Sequence, residues 1–212
     1  MNMNLNSVLI LTWLILLLIP ILSAQADPVA KTLRTHNKVI AIRDEASRDI
    51  QRGDDITLED VLQTGKDARA YFRFYDGTLI TLGSLTEMTV EKFEAKKDAN
   101  SAAFEFTKGA FRIVTGLITK TDKPNFSVHT PIGTIGVRGT DFWGGNLSSA
   151  DNIDIILLDS EHPLTVENAH GKVVITEPGF GTLLTKDQAP TTPKKWSEEK
   201  LGRAVQTITF PE

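Results

Sequence analysis

The sequence contains no cysteine, and this absence excludes several classes of protein. With none among 212 residues, a disulfide scaffold, a thiolate metal site and a cysteine nucleophile are all excluded. A lipid-modified N-terminal cysteine is excluded for the same reason. The net charge is −4, which argues against nucleic acid as a partner, because phosphate binding needs clustered Lys and Arg.

Catalytic and metal-binding motifs are also absent. The chain has no GxSxG nucleophile elbow and no HExxH pair of histidines at metal-binding spacing. The four histidines are therefore expected to be surface or turn residues: His36, His129, His162 and His170. We expect no enzymatic activity, no catalytic residue, no metal and no cofactor.

The N-terminal region predicts export. Residues 8–22 are almost all apolar, and the Ala24-Gln25-Ala26 sequence that follows suits a signal peptidase. We interpret residues 1–26 as a signal peptide that is cleaved before Asp27. An uncleaved N-terminal anchor is the alternative, because no Lys or Arg precedes the apolar run. Either interpretation places residues 27–212 outside the cytoplasm.

The central region predicts strands. Between residues 68 and 75, Ala and Phe alternate with Arg and Tyr, a period of two that gives a strand one buried and one wet face. Asp76-Gly77 follows, which is a strong hairpin signal. Similar short alternating runs separated by turn residues continue to about residue 185, with no clear helical periodicity. The prediction is an all-β domain.

The two ends differ from this β region. Residues 27–52 are assigned as an N-terminal segment, residues 53–189 as the β domain, and residues 190–212 as a linker with a short C-terminal helix. The helix is predicted from four apolar residues at helical spacing: Leu201, Ala204, Val205 and Ile208. Ser197 is its predicted N-cap, with Glu198 and Glu199 in the first turn.

Three segments between about residues 53 and 145 resemble the FecR domain, named for the ferric-citrate regulator of bacteria. They are residues 61–65 leading into 70–78, residues 108–114 (KGAFRIV), and residues 126–142 (FSVHTPIGTIGVRGTDF). The third segment is the most specific, because TP followed closely by IGVRGTDF is hard to mistake. The resemblance implies a β-solenoid-like or twisted two-sheet fold.

The resemblance also implies a role. The best-known FecR-domain proteins are transmembrane anti-sigma regulators, whose periplasmic domain reports a signal received by an outer-membrane transporter. Here only a few residues precede the apolar run. We therefore expect an exported, free-standing version that lacks the cytoplasmic anti-sigma region and binds other proteins.

Within the third segment, we assign a structural motif. Gly133, Gly136 and Gly139 recur every third residue, which suggests a tight bend between sheet layers. A phosphate-binding loop is the alternative, but no Lys-Ser/Thr pair or helix start follows. The motif comprises Gly133, Gly136, Arg138, Gly139, Thr140 and Asp141.

Its charged residues predict a specific geometry. Simple alternation would bury Asp141 unpaired, at a cost of several kcal/mol. A bulge with positive φ at Gly139 would turn Phe142 inward and Asp141 outward, towards Arg138. We expect Arg138 and Asp141 to form an ion pair that stabilises the fold, with a recognition role as the alternative.

One exposed face is a candidate protein-binding surface. Arg69, Tyr71, Arg73 and Tyr75 share the wet side of one predicted strand, and Tyr and Arg are enriched at binding hot spots. Ordinary cross-strand pairing on an exposed sheet is the competing interpretation.

The sequence thus predicts a non-enzymatic FecR-domain protein, periplasmic or secreted in a bacterium. It would act as a protein-binding or scaffolding module of the cell envelope, with another envelope or surface protein as partner. No nucleic acid partner is expected, and no stable membrane anchor once the signal peptide is cleaved. The alternatives are a periplasmic module that relays an outer-membrane transporter's state to a separate regulator, and an envelope-polymer hydrolase.

Overall fold

Strands run through nearly the whole described chain in the computed structural model, which describes residues 27–96, 99–121, 124–147 and 149–211. The predicted signal peptide, residues 1–26, lies outside these residues. The strands are β1 (Pro28–His36), β2 (Val39–Arg43), β3 (Ala46–Asp49), β4 (Asp55–Thr57), β5 (Val61–Thr64), β6 (Arg69–Phe74), β7 (Leu79–Leu82), β8 (Glu87–Lys96), β9 (Ala99–Lys108), β10 (Ala110–Val114), β11 (Asn125–Thr130), β12 (Gly133–Val137), β13 (Thr140–Gly145), β14 (Asn152–Ser160), β15 (Leu164–Asn168), β16 (Gly171–Ile175), β17 (Phe180–Thr185) and β18 (Lys194–Lys195). A 3-10 helix (Leu117–Lys120) and one α-helix, α1 (Glu198–Ile208), complete the described elements.

The strands form two nine-stranded sheets. Sheet I has the order β18-β17-β14-β13-β10-β7-β6-β1-β4, and sheet II has the order β16-β15-β12-β11-β9-β8-β5-β2-β3. In both sheets the strands follow chain order except at one end, and the chain changes sheet after every one or two strands. The result is a solenoid-like arrangement of two facing sheets, which confirms the predicted all-β fold.

The inward faces of both sheets form the main core. Phe72 and Phe74 of β6 are 0% and 1% exposed, as the period-two pattern predicts. Phe74 of sheet I packs on Phe104 of sheet II with ring centroids 5.1 Å apart, and Phe104 packs on Phe126 at 5.5 Å. Aromatic pairs of this kind contribute about 0.5–1.5 kcal/mol each beyond the area they bury, and the Phe74–Phe104 pair makes this contribution between the two sheets.

A second, smaller core lies on the outer side of sheet I, beneath α1. It consists of five buried residues: Ala110, Trp143, Ile156, Ala204 and Ile208. Because β14 is covered by the main core on one face and by this cluster on the other, residues 153–157 are all buried. Four of these five residues are apolar, as is typical of a strand buried on both faces, and the exception, Asp154, is paired with Lys200.

The predicted C-terminal helix is present. The Ser197 hydroxyl accepts a hydrogen bond from the Lys200 backbone N–H at 3.2 Å, and so caps the helix as expected. Ala204 and Ile208 are buried against the sheet, whereas Val205 is 41% exposed. No helix in the described ranges is both long and apolar enough to cross a membrane.

Candidate protein-binding surface

The outer face of β6 carries the predicted Tyr and Arg side chains. Arg69 and Tyr71 are half-buried and Arg73 is exposed, while the residues between them are buried. Tyr75, immediately after the strand, is 55% exposed. The structure therefore places these four residues on the solvent side of sheet I, as the alternation predicts.

Strand register brings further residues to this face. Tyr71 lies opposite Arg34 of β1 on one side and Thr81 of β7 on the other, and Thr81 lies opposite Arg112 of β10. The next row across these strands contains Arg73, Leu79 and Val114. The face thus extends over four strands rather than one.

The C-terminal segment borders this face. The guanidinium carbon of Arg34 lies 4.5 Å from the centroid of the Phe210 ring, and Arg34 Nη2 donates to the Pro211 carbonyl at 3.3 Å. Arg69 Nη2 donates to the Gln206 carbonyl at 3.4 Å. These contacts hold the end of α1 and the residues after it beside β1 and β6.

A groove of about 530 Å³ lies between the strands and the C-terminal segment. Leu79 and Val114 line the strand side, and Val205 and Phe210 line the opposite side. We call it the Tyr71 groove, defined by Arg34, Tyr71, Leu79, Arg112, Val205 and Phe210. Sequence reasoning missed the groove, because Arg34 and Pro211 are 177 residues apart in the chain.

Arg112 is paired with Asp141, a residue of the predicted motif. Arg112 Nε donates to Asp141 Oδ1 at 2.8 Å and Nη2 donates to Oδ2 at 2.5 Å. The hydrogen bond to Asp141 raises the pKa of the Arg112 guanidinium, although burial opposes the shift. The forked geometry fixes the plane of the guanidinium group at the edge of the groove.

The expected pair between Arg138 and Asp141 was wrong. Arg138 is exposed and makes no ion pair with the described residues. Arg138 and Gly139 form the corner at which the chain leaves β12 in sheet II and enters β13 in sheet I. Asp141 therefore belongs to sheet I, where β10 is its neighbour and supplies Arg112.

Gly139 does adopt the predicted positive φ, at 68°, but at this corner rather than in a strand bulge. The register shift lies two residues later, between Asp141 and Phe142 in the pairing of β13 with β14. Phe142 faces the core and is fully buried, as expected.

The other motif residues have structural surroundings. A Cβ on Gly133 would lie 2.8 Å from the Glu167 carbonyl oxygen of β15, so a side chain there would force the strands apart. On Gly136 a Cβ would make only an ordinary 3.7 Å contact. Thr140 is buried, and its backbone N–H donates to the Thr115 hydroxyl at 2.9 Å. Gly133 and Gly136 thus lie within β12, and of the three glycines only Gly139 lies at the corner between the sheets.

The charges around the groove are unbalanced. Arg112 is neutralised by Asp141, and Lys31 is neutralised by Asp55 at 2.6 Å. By contrast, Arg34, Arg69 and Arg73 have no carboxylate within 4.0 Å among the described residues. Burial lowers the pKa of the Arg69 guanidinium, with Asp67 opposing the shift. This surface is consequently positive on a chain whose net charge is −4.

The described residues contain no group of three or more His, Asp or Glu arranged to hold a metal ion. The surface offers guanidinium donors, a phenol and apolar side chains.

Comparison with known proteins identifies the family. The sequence profile described as FecR protein matches residues 60–176. This chain belongs to the FecR family. The match spans β5 to β16, so FecR strands β6, β7 and β10 form the floor of the Tyr71 groove. Arg34 and the C-terminal segment lie outside the matched residues.

Solved structures with a similar fold are known. Two crystal structures of a candidate anti-sigma factor from Parabacteroides distasonis ATCC 8503 each superpose with a TM-score of 0.54 at 13% identity. The similarity covers 69% of this chain and 64% of that chain. A comparison with curated proteins finds no match.

Proposed function

We propose that this protein is a non-enzymatic protein-binding module of the bacterial cell envelope that takes part in signalling. Membership of the FecR family supports an envelope-associated regulatory role. The similarity to the solved structures of a candidate anti-sigma factor supports a fold that is shared with such proteins. The export of residues 27–212 to the periplasm or beyond rests on the signal-peptide pattern of residues 1–26.

The observation that carries the proposal is the exposed Tyr and Arg face of β6, extended by the Tyr71 groove. Tyr71 and Arg112 line a partly apolar trough, and Tyr75, four residues after Tyr71 in the chain, is 55% exposed. Aromatic and Arg side chains in such a setting provide most of the binding energy in many protein interfaces. No comparable group of Tyr and Arg residues is present on the outer face of sheet II in the described strands.

Site-specific photo-crosslinking in the native host tests this proposal. A photoreactive amino acid would replace Tyr75 of the Tyr and Arg face or, as a matched control, Val174, which is 47% exposed on β16 of sheet II. We expect position 75 to crosslink to a discrete envelope protein and position 174 not to. Crosslinks only from position 174, or from neither position, would contradict the proposal.

The identity of the crosslinked protein separates the two binding roles. An outer-membrane transporter or its regulator would favour relay of a transporter's state, and a surface or cell-wall protein would favour scaffolding. Turnover of peptidoglycan or another envelope polymer by the purified chain would show instead that the protein is an enzyme.

A further inference from the structure

The Tyr71 groove has the shape of a trough that an extended segment could occupy. It runs between strands β6, β7 and β10 on one side and the end of α1 with Phe210 on the other. Leu79, Val114 and Val205 supply apolar surface, and Val205 is 41% exposed although it belongs to the apolar side of its helix. Exposed apolar surface of this kind inside a groove is typical of a binding site.

The charge beside the trough selects the type of ligand. Arg34 and Arg73 are exposed and Arg69 is half-buried, and none of them is neutralised by a carboxylate of the described residues. Two other cations of sheet I are paired with carboxylates: Lys31 with Asp55 at 2.6 Å and Arg112 with Asp141. A cluster of uncompensated guanidinium groups on a chain of net charge −4 favours an acidic ligand, because complementary charge directs association and orientation.

Two further groups can bind a carboxylate or a backbone carbonyl. Asp141 holds Arg112 through Nε and Nη2, which leaves the Nη1 donors of that guanidinium available. The Tyr71 hydroxyl makes no hydrogen bond with the described residues. Because Arg112 is already oriented by Asp141, less conformational entropy is lost when it binds a ligand.

Arg34 and the C-terminal side of the trough lie outside the FecR match. Arg34 belongs to β1 and Phe210 follows α1, whereas the matched residues are 60–176. The ion–aromatic contact between Arg34 and Phe210, at 4.5 Å, thus adds a border to strands that lie within the matched residues. Specificity for a ligand would be decided at this border.

We propose that the Tyr71 groove binds an extended acidic peptide segment of a partner protein, with an apolar side chain seated between Leu79 and Val205 and carboxylates on Arg34 and Arg73. The inference rests on the proposed protein-binding function and adds the chemistry of the ligand. An acidic lipid surface is the rival occupant. A peptide suits the trough better, since the site is bordered on two sides and contains an oriented guanidinium group.

Selection from a random dodecapeptide library displayed on phage tests the inference, with the full-length chain immobilised. Four proteins would be compared: the parent, Arg34→Glu, Arg73→Glu and the control Lys186→Glu, which reverses an exposed charge after β17. Thermal unfolding followed by circular dichroism would establish that each variant is folded. Because Arg73 is exposed and makes no hydrogen bond or ion pair with residues 197–211, Arg73→Glu remains informative even if Arg34→Glu disturbs the C-terminal segment.

We expect the parent to enrich peptides with several Asp or Glu residues around a Leu, Ile, Val or Phe. Fluorescence anisotropy with one enriched peptide should show at least tenfold weaker binding to Arg34→Glu and Arg73→Glu, and unchanged binding to Lys186→Glu. Failure to enrich acidic peptides, or equal affinity for all four proteins, would overturn the inference.

The rival occupant is tested with vesicles of phosphatidylglycerol and of phosphatidylcholine. Binding to the anionic vesicles that is lost in Arg73→Glu, without any peptide selection, would overturn the peptide assignment. Photo-crosslinking from position 75 to a protein would in that case leave the proposed function standing, so the two failures are distinguishable.

Discussion

Arg112 on β10 donates two hydrogen bonds to the Asp141 carboxylate on β13, at 2.8 Å and 2.5 Å. The pair joins neighbouring strands at the edge of the Tyr71 groove. The side chain of Asp141 is 15% exposed and that of Arg112 is 41% exposed. The exposure of this pair is therefore intermediate between that of a surface ion pair and that of a buried one. Asp141 belongs to the structural motif and Arg112 lines the Tyr71 groove, so the pair links the two.

The first prediction concerns this pair. We expect Asp141→Ala to lower the free energy of unfolding by about 1–2 kcal/mol, because it leaves a partly buried guanidinium without its carboxylate. Urea denaturation measures the change. Arg138→Ala is the matched control: Arg138 is exposed and unpaired among the described residues, so its loss should change stability by less than about 0.5 kcal/mol. A larger loss for Arg138→Ala than for Asp141→Ala would contradict this assignment.

The second prediction concerns the corner between the sheets. Gly139 has φ of 68°, a conformation that a β-branched residue resists. We expect Gly139→Val to lower the free energy of unfolding by about 1–3 kcal/mol, measured by thermal and urea unfolding. Gly136→Ala serves as the control, because its added Cβ meets only an ordinary contact at 3.7 Å. If Gly139→Val unfolds like the parent, the corner does not require glycine.

The third prediction concerns the attachment of α1. Lys200 Nζ donates to Asp154 Oδ1 at 2.5 Å, and Asp154 is fully buried on β14. We expect Lys200→Met to lower stability by about 3 kcal/mol or more, because it leaves a buried carboxylate unpaired. Urea denaturation of the full chain measures it.

Adding Asp154→Asn to Lys200→Met gives a control for the charge itself. The double variant should recover part of the lost stability, since the buried charge is gone. If the double variant is as unstable as Lys200→Met alone, the loss arises from the contact of Lys200 with the Trp196 ring, at 4.1 Å, rather than from the unpaired carboxylate.

The fourth prediction concerns export. The Ala24-Gln25-Ala26 sequence predicts that the mature protein begins at Asp27. Intact-mass measurement of the protein purified from its native host tests this directly. A mass that retains residues 1–26 would show an uncleaved segment and would support the anchor as the alternative.

The features of the fold that the sequence predicts correctly depend on residues close together in the chain. Alternation along β6 determined which side chains are buried, and Ser197 determined where α1 begins, because both depend on residues within a few positions of one another. Asp76-Gly77 predicted a turn, and Gly77 has φ of 88° there. The Asp76 carboxylate also accepts a hydrogen bond from the Ile118 N–H at 3.2 Å, 42 residues away, which no local pattern indicates.

The sequence by itself thus determined the all-β fold, the Tyr and Arg face of β6, and the left-handed conformation of Gly139, since each follows from backbone geometry and short-range periodicity. Only the tertiary structure decided that Asp141 pairs with Arg112 rather than with Arg138. It also decided that Arg34 meets Phe210 to border a groove. The reason is physical: the partner of a side chain on a sheet is set by which strands become neighbours, and here the chain changes sheet at Gly139 and returns from its far end to pack on β1 and β6.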